Sequence, residues 1–257
     1  MIEVTRKSGF KSQQPQCSKI LNLYLLINFV QTICISLGGS VASNENGLNV
    51  EYLHAMAELL SKPVFKNMRF IIVTGGGYTN RKYIEALRKE GISEYVLDEI
   101  GIAFTKANAI AVKSFFKEAY PNIVSNPAEL KEAYASGSKV IFASGFIPGF
   151  TTDAVAIISC EALECKKLVN ISKEGGVYNI DPSKKGAVKL KKISHEELIR
   201  LAEQFDTRQA KVNFVFDLVA SKLAKRSKIR IDFIGSEIKE LERALLGKEH
   251  NGTVVEG

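Results

Sequence analysis

Hydrophobic and polar positions alternate between two periods along most of the chain. Thr32–Leu37 is a short, almost continuous apolar run that reads as a buried strand and ends in Gly38-Gly39-Ser40. The period then changes. In Val50–Leu60, Leu53, Met56, Ala57 and Leu60 recur at three and four, which predicts a helix. Arg69–Thr74, with Phe70, Ile71, Ile72 and Val73 at its centre, predicts a second strand, and Gly75-Gly76-Gly77 follows it. Helices are expected over Asn80–Lys89 and Tyr95–Phe116, a short strand at Ile123–Val124, and a helix over Pro127–Ala135 with its proline near the first turn. Val140–Ala143 reads as a strand, Gly145–Thr152 as a loop, Asp153–Leu163 as a helix and Lys167–Ile171 as a strand. Beyond a lysine-rich polar stretch, Ser194-His195-Glu196-Glu197 is a capping box at the head of a helix. Val212–Lys225 predicts a helix, Ile229–Ile234 a strand, Glu237–Leu246 a helix and Thr253–Val255 a last strand.

Strands alternating with helices predict an α/β fold: a mainly parallel sheet covered by helices on both faces. The lysine-rich stretch 183–192 is the best candidate for a boundary between two lobes. Residues 1–31 stand apart. A polar start with Gln13, Gln14, Pro15 and Gln16 gives way to the apolar Ile20–Val30, interrupted by Asn22 and Asn28. That run is too short for a bilayer, which needs ~20 apolar residues. It lacks the small-residue cleavage site of a signal peptide, because Gln31-Thr32-Ile33 follows. The expectation is an extension outside the core, or a product of start-site choice.

Composition narrows the class. Of 257 residues, 46% are apolar and 25% charged, which excludes a disordered or collagen-like chain. Cys17, Cys34, Cys160 and Cys165 form no CxxC pair and have no neighbouring histidine, so a zinc ribbon or disulfide framework is not expected. Free thiols fit a reducing cytoplasm. The net charge of +7 is concentrated: residues 181–230 carry 13 Lys/Arg against 6 Asp/Glu, and the rest of the chain balances. Three readings stay open for this segment: a nucleic-acid face, an anionic small-molecule site, or solvated lysines at Lys184, Lys185, Lys189, Lys191 and Lys192.

Candidate chemistry lies in three loops that follow strands and lead into helices: Gly38-Gly39-Ser40, Gly75-Gly76-Gly77 and Gly149-Phe150-Thr151-Thr152. Ligands of open α/β sheets bind beyond the carboxyl ends of strands, and glycines let backbone approach a phosphate at a helix N-terminus. Any one such loop also serves as a plain turn. Three around one sheet edge point to a phosphate-bearing ligand. There is no Walker A lysine and no GxGxxG after the first strand, so P-loop and dinucleotide readings fail.

The motifs resemble those of the amino acid kinase family, in its archaeal-type uridylate (UMP) kinase branch. They are Ile35-Ser36-Leu37-Gly38-Gly39-Ser40-Val41, Val73-Thr74-Gly75-Gly76-Gly77 with Arg81-Lys82-Tyr83-Ile84, and Asp98-Glu99-Ile100-Gly101-Ile102 with Asn108-Ala109. Pro148-Gly149-Phe150-Thr151-Thr152-Asp153-Ala154 follows, then Gly176-Val177-Tyr178 with Asp181-Pro182, Lys225-Arg226-Ser227, and His250-Asn251-Gly252-Thr253. The resemblance covers Thr32 to the C-terminus. It implies a three-layer αβα sandwich, with a phosphoryl-acceptor part at about 32–164 and an ATP-binding part at about 165–257.

The implied reaction is MgATP + UMP giving ADP + UDP. By resemblance, Gly39, Ser40, Gly77, Arg81, Ser172, Tyr178 and Asp181 bind ATP, and Gly76, Asp98, Phe146, Ile147, Pro148, Gly149, Phe150, Thr151 and Thr152 bind UMP. Asp98 would take the ribose, Asp153 would orient neighbouring groups, and Lys222 would meet the transferring phosphoryl. No residue-bound metal is expected beyond the Mg2+ that accompanies ATP. Read from the residues alone, Arg81 and Lys222 also fit exposed helix positions, Asp98 a helix-terminal acid and Tyr178 a core aromatic. His54, His195 and His250 are expected to be structural. Two departures from the family stand out: Ser36 where many relatives have Lys, and Gly175 where the family usually has Asp. The resemblance further implies a homohexamer, inhibition by UTP, a cytoplasmic location, and neither nucleic-acid nor membrane partners. Alternatives are a kinase for isopentenyl phosphate or N-acetylglutamate, or a nucleotide-binding regulatory protein without turnover.

Overall fold

The computed structural model describes residues 30–205 and 216–257. In chain order the elements are β1 (Gln31–Leu37), α1 (Gly39–Ala42), β2 (Ser43–Asn44), β3 (Gly47–Leu48), α2 (Val50–Ser61), β4 (Met68–Thr74), α3 (Gly77–Lys89), α4 (Glu94–Lys113), α5 (Pro127–Ala135), β5 (Val140–Ala143), α6 (Thr152–Ala162), β6 (Lys167–Ile171), β7 (Lys192–Ile193), α7 (His195–Phe205), α8 (Leu218–Ser227), β8 (Arg230–Ile234), α9 (Ile238–Leu245) and β9 (Thr253–Val255). Seven strands form one sheet in the order β5-β4-β1-β6-β8-β9-β7. β5, β4, β1, β6 and β8 run parallel, and β9 pairs antiparallel with β8.

The period-2 geometry of a strand divides the core in two. On β1, Ile33, Ile35 and Leu37 join Phe70, Ile72, Phe142 and Val169 under α2, α4 and α9. Cys34 joins Ile71, Val73, Ile141, Ala143 and Leu168 under α5, α6, α7 and α8. β1 is therefore covered on both faces, which explains its unbroken apolar character. The expected three-layer αβα sandwich with a mainly parallel sheet is what the chain forms.

Several expected boundaries move. The third helix begins at Gly77, not Asn80, because Gly77 takes φ +77° and turns β4 directly into the helix. The helix expected over Tyr95–Phe116 ends at Lys113, and the apolar Phe115 and Phe116 pack beyond it. Ile123–Val124 is no ladder strand, because Val124 makes only an isolated bridge to Ala143. Of the helix expected from Val212, residues 212–215 lie outside the described residues. The described part starts at Leu218, where the Asp217 side chain caps it by accepting from Ala220 N at 2.9 Å. The lysine-rich stretch ends in β7, which joins the same sheet through β9.

Candidate functional site

The first two glycine loops lie backbone against backbone. Gly38 N–H donates to Ile171 O at 2.9 Å, which holds the first loop to β6. A Cβ at Gly39 would stand 2.3 Å from Gly77 N, and one at Gly75 would stand 2.7 Å from Gly39 N. No side chain fits between loops that close. Asn108 fixes the arrangement from α4 by donating to Gly75 O at 2.8 Å.

Beside these loops is a cleft of about 270 Å³, lined by Gly76, Asn80, Arg88, Asp98, Gly145, Phe150, Thr151 and Thr152 among others. The loop 145–151 is clamped onto α4 at two points. Gly145 N–H donates to Thr105 Oγ1 at 2.8 Å, and Gly149 N–H donates to Asp98 Oδ2 at 2.7 Å. Thr105 is itself anchored, since its hydroxyl donates to Ile102 O at 2.7 Å and its carbonyl accepts from Thr74 at 3.0 Å. Gly149 adopts φ +87°, which a glycine tolerates without strain. Arg88 lines the same cleft with its guanidinium held by Glu94 through two 2.9 Å hydrogen bonds.

At the head of α6, Thr151 caps the helix by accepting from Ala154 N at 3.2 Å and donates its hydroxyl to Asp217 Oδ2. Asp153 follows in the first turn. One of its oxygens, Oδ1, accepts from Ser36 Oγ at 3.0 Å and from Asn170 Nδ2 at 2.8 Å. Burial and the nearby charge of Asp217 raise Asp153 to about 7, against the opposing pull of its two donors. The ends of β1 and β6, α6 and the cap of α8 thus converge on one carboxylate.

The opposite side of the glycine loops is built at the ends of β6 and β8. Ser172 Oγ accepts from Gly175 N at 3.3 Å. Gly175, at φ +63°, presses on Gly235, whose Cα would lie 3.1 Å from any Cβ at 175. Tyr178 donates its hydroxyl to Glu174 O at 3.2 Å, and Lys189 Nζ lies 5.6 Å from the Tyr178 ring centroid. Asp181 closes a turn onto Ser183, accepting from its hydroxyl at 2.7 Å and its N–H at 2.9 Å. Those bonds, the hydroxyl's foremost, hold the Asp181 carboxyl below the usual carboxylate range.

This fold recurs in known proteins. A sequence model described as the amino acid kinase family matches residues 31–234. The chain belongs to the amino acid kinase family. This amino acid kinase is 38% identical over 229 residues to the uridylate kinase of Thermoplasma volcanium, covering 88% of this chain and 98% of that one. The crystal structure of uridylate kinase from Archaeoglobus fulgidus superposes with a TM-score of 0.74 at 33% identity, covering 87% of this chain and 99% of that one. UMP kinase from Bacillus anthracis, at 19% identity and a TM-score of 0.72, shares the fold.

In this amino acid kinase the expected residues are not all drawn together. Gly76, Asp98, Phe150, Thr151 and Thr152 line one cleft, with Gly149 tied to Asp98. Phe146, Ile147 and Pro148 lie on the same clamped loop, Ile147 being exposed. Gly39, Gly77 and Ser40 sit at the loop contact, and Ser172, Tyr178 and Asp181 on the β6 side. Arg81 is exposed on α3 and has no hydrogen-bond or ion-pair partner among the described residues. Lys222 is not among the partners of Asp153. It is half-exposed on α8 with its ammonium 3.5 Å from Glu203. The histidines are structural: His54 packs edge-on against Phe115, both ring nitrogens of His195 face carbonyl oxygens, and His250 is buried beside Asp232.

Sequence reasoning missed Asn170, Asp217 and Arg88. Asn170 carried a signal, as the polar residue inside the apolar strand Lys167–Ile171. Asp217 carried another, as an N-cap residue immediately before a helical run.

Proposed function

We propose that this amino acid kinase transfers the γ-phosphoryl group of MgATP to UMP, giving ADP and UDP. The observation that carries the reading is the clamped cleft. A loop rich in backbone N–H groups and threonine hydroxyls ends at the N-terminus of α6, and a carboxylate, Asp98, stands on its far side. The loop and helix end suit a phosphate, and the carboxylate suits sugar hydroxyls. The relatives named uridylate kinase match nearly end to end, which supports the same acceptor.

The chemistry asks little of a base. A nucleotide monophosphate has a second pKa of about 6, so its oxygen is already a nucleophile at neutral pH. That oxygen bonds to the γ-phosphorus as the bond to the β,γ-bridging oxygen breaks, and the electron pair leaves with ADP. Alignment and charge neutralisation carry the rate. Asp153 serves by holding the Ser36 hydroxyl and the Asn170 amide in fixed directions at the junction of the two sites. Ser36 is neutral, so positive charge on the transferring group falls to Arg81, Lys222 and the cation.

Mg2+ fits this donor set. Asp153 and Asp217 are neighbouring hard-oxygen carboxylates, and burial first and the charge of Asp217 second raise Asp153; magnesium is characteristically held by one or two carboxylates plus substrate phosphates. When bound with ATP it neutralises phosphate charge. The part at about 31–164 binds the acceptor and that at about 165–257 binds ATP; the extension expected over 1–31 is one residue shorter, because Gln31 of β1 already pairs with Met68 of β4. The family resemblance also supports a cytoplasmic homohexamer inhibited by UTP. No helix among the described residues is long and apolar enough to cross a membrane.

Steady-state assays with MgATP and UMP, CMP, isopentenyl phosphate or N-acetylglutamate test the proposal. UMP is expected to give the highest kcat/KM. A higher value with another acceptor overturns the substrate, and ATP binding without turnover on any of them overturns the activity.

A further inference from the structure

Lys189 differs from the lysines around it. Lys184, Lys185 and Lys191 are exposed, and Lys192 is paired with Glu256 at 2.6 Å. Lys189 is half-buried and has no carboxylate or hydrogen-bond partner among the described residues. Its backbone bridges to Tyr178, flanked by the hydrogen bonds Leu190 N to Val177 O at 2.9 Å and Asn179 N to Val188 O at 3.1 Å. Its stem lies across Gly176, where a Cβ would meet Lys189 Cδ at 2.8 Å and Cγ at 3.0 Å. Glycine at 176 is what admits the stem. The ammonium is thereby delivered to a defined place: 5.6 Å from the Tyr178 ring centroid and 3.6 Å from where a Cβ at Gly175 would stand.

That place is on the edge where β6 and β8 end. Gly175 contacts Gly235 after β8 and donates to Ser172 after β6. Ser172 in turn lies against Gly38, whose Cβ would be 3.7 Å from Ser172 Cα. The Lys189 ammonium therefore lies at the same edge as the glycine loop after β1, with Gly175 and Ser172 between them. Ordering a lysine stem costs conformational entropy, and an ammonium has three donors that the face of one tyrosine does not satisfy. A held and unpaired cation at the carboxyl edge of a parallel sheet, beside glycine backbone, is matched by an anion.

We propose that Lys189 is a phosphate-binding residue of the donor site, its ammonium contacting the polyphosphate chain of the nucleoside triphosphate. This rests on the reading of the β6 side as the ATP site. The Tyr178 ring flanks the ammonium on one side at 5.6 Å and leaves its donors free for an anion. Lys189 would supply on this side some of the positive charge that Ser36 does not supply at the end of β1.

Calorimetric titration of the full chain with ATP, ADP, adenosine and UMP tests this, on wild type, Lys189→Met and Lys189→Arg. Met keeps the stem across Gly176 and removes the charge, and Arg keeps the charge. Lys189→Met is expected to weaken ATP and ADP by roughly 10- to 150-fold, the worth of one charge-assisted hydrogen bond. Adenosine and UMP should be unaffected, and Arg should retain most of the affinity. Should the Met variant not fold, Lys189→Gln makes the same comparison. An unchanged ATP constant, or an equal loss for adenosine, overturns the inference while ATP binding by wild type leaves the donor site standing. Failure of wild type to bind ATP overturns both.

Discussion

Asp153 is buried and faces a second carboxylate, so its charge is costly in the folded chain, and the two hydrogen-bond donors on one of its oxygens offset only part of that cost. With its pKa lifted from 3.8 to about 7, the native state binds more protons than the unfolded chain between those values. Its contribution to stability is present in full below about pH 4 and is lost as pH rises toward 7. Asp153→Asn removes that titration. In thermal unfolding from pH 4 to 8, the difference between variant and wild type should move steadily in favour of the variant. At about 1.4 kcal/mol per pH unit between 3.8 and about 7, the difference should have changed by roughly 4 kcal/mol at pH 8, or on the order of 10 °C in Tm. Turnover should fall, because an amide neither repels Asp217 nor holds both donors equally. A difference curve flat in pH would show that Asp153 titrates as an ordinary surface acid. Asp232 behaves oppositely. It is fully buried, yet His250, Lys167 and Arg230 together outweigh the desolvation that opposes them and hold it at about 2, so it remains charged over the same window. At this scale the sequence announced Asp153 and Asp98 through the family motif. It did not announce that Asp98 would accept from Gly149, or that Asn170 and Asp217 would stand beside Asp153.

The loops between strands and helices are where element geometry sets the site. Gly39→Ala forces a Cβ to within 2.3 Å of Gly77 N, and both partners are backbone, so neither yields without separating the loops. The expected cost is about 1–3 kcal/mol or more in unfolding free energy, with loss of activity. Gly101 is the control. It lies within α4, and the nearest atom to its Cβ position is 3.9 Å away, so Gly101→Ala should leave stability unchanged or raise it by about 0.5–1 kcal/mol. Equal effects of the two substitutions in a denaturant titration would remove the close approach as the reason for glycine at 39. Most elements were legible because helix and strand periods are local properties of the chain. The misplaced ends share a cause. Gly77 and Asp217 start helices through backbone conformation and capping, which apolar periodicity does not register. β7, only two residues long, offers no period at all.

At the scale of the molecule, β1 begins at Gln31 and lies inside the sheet between β4 and β6, and the family match also begins at residue 31. A chain beginning at Val30 is therefore expected to fold and to keep its phosphoryl transfer activity, read from its circular dichroism, solubility and kcat. Insolubility or inactivity of the shortened chain would overturn this expectation. The sequence by itself determined the class of fold, the order of its elements and the glycine loops, because each is written in neighbouring residues. Tertiary structure alone decided which loops touch and which side chains share a site. Ser36 and Asp153 are 117 positions apart, and Thr151 and Asp217 are 66 apart. They meet because β1 inserts between β4 and β6, which places α6 over the centre of the sheet and brings α8 against it. That order is a consequence of burying two apolar faces at once, and no local stretch of the chain encodes it.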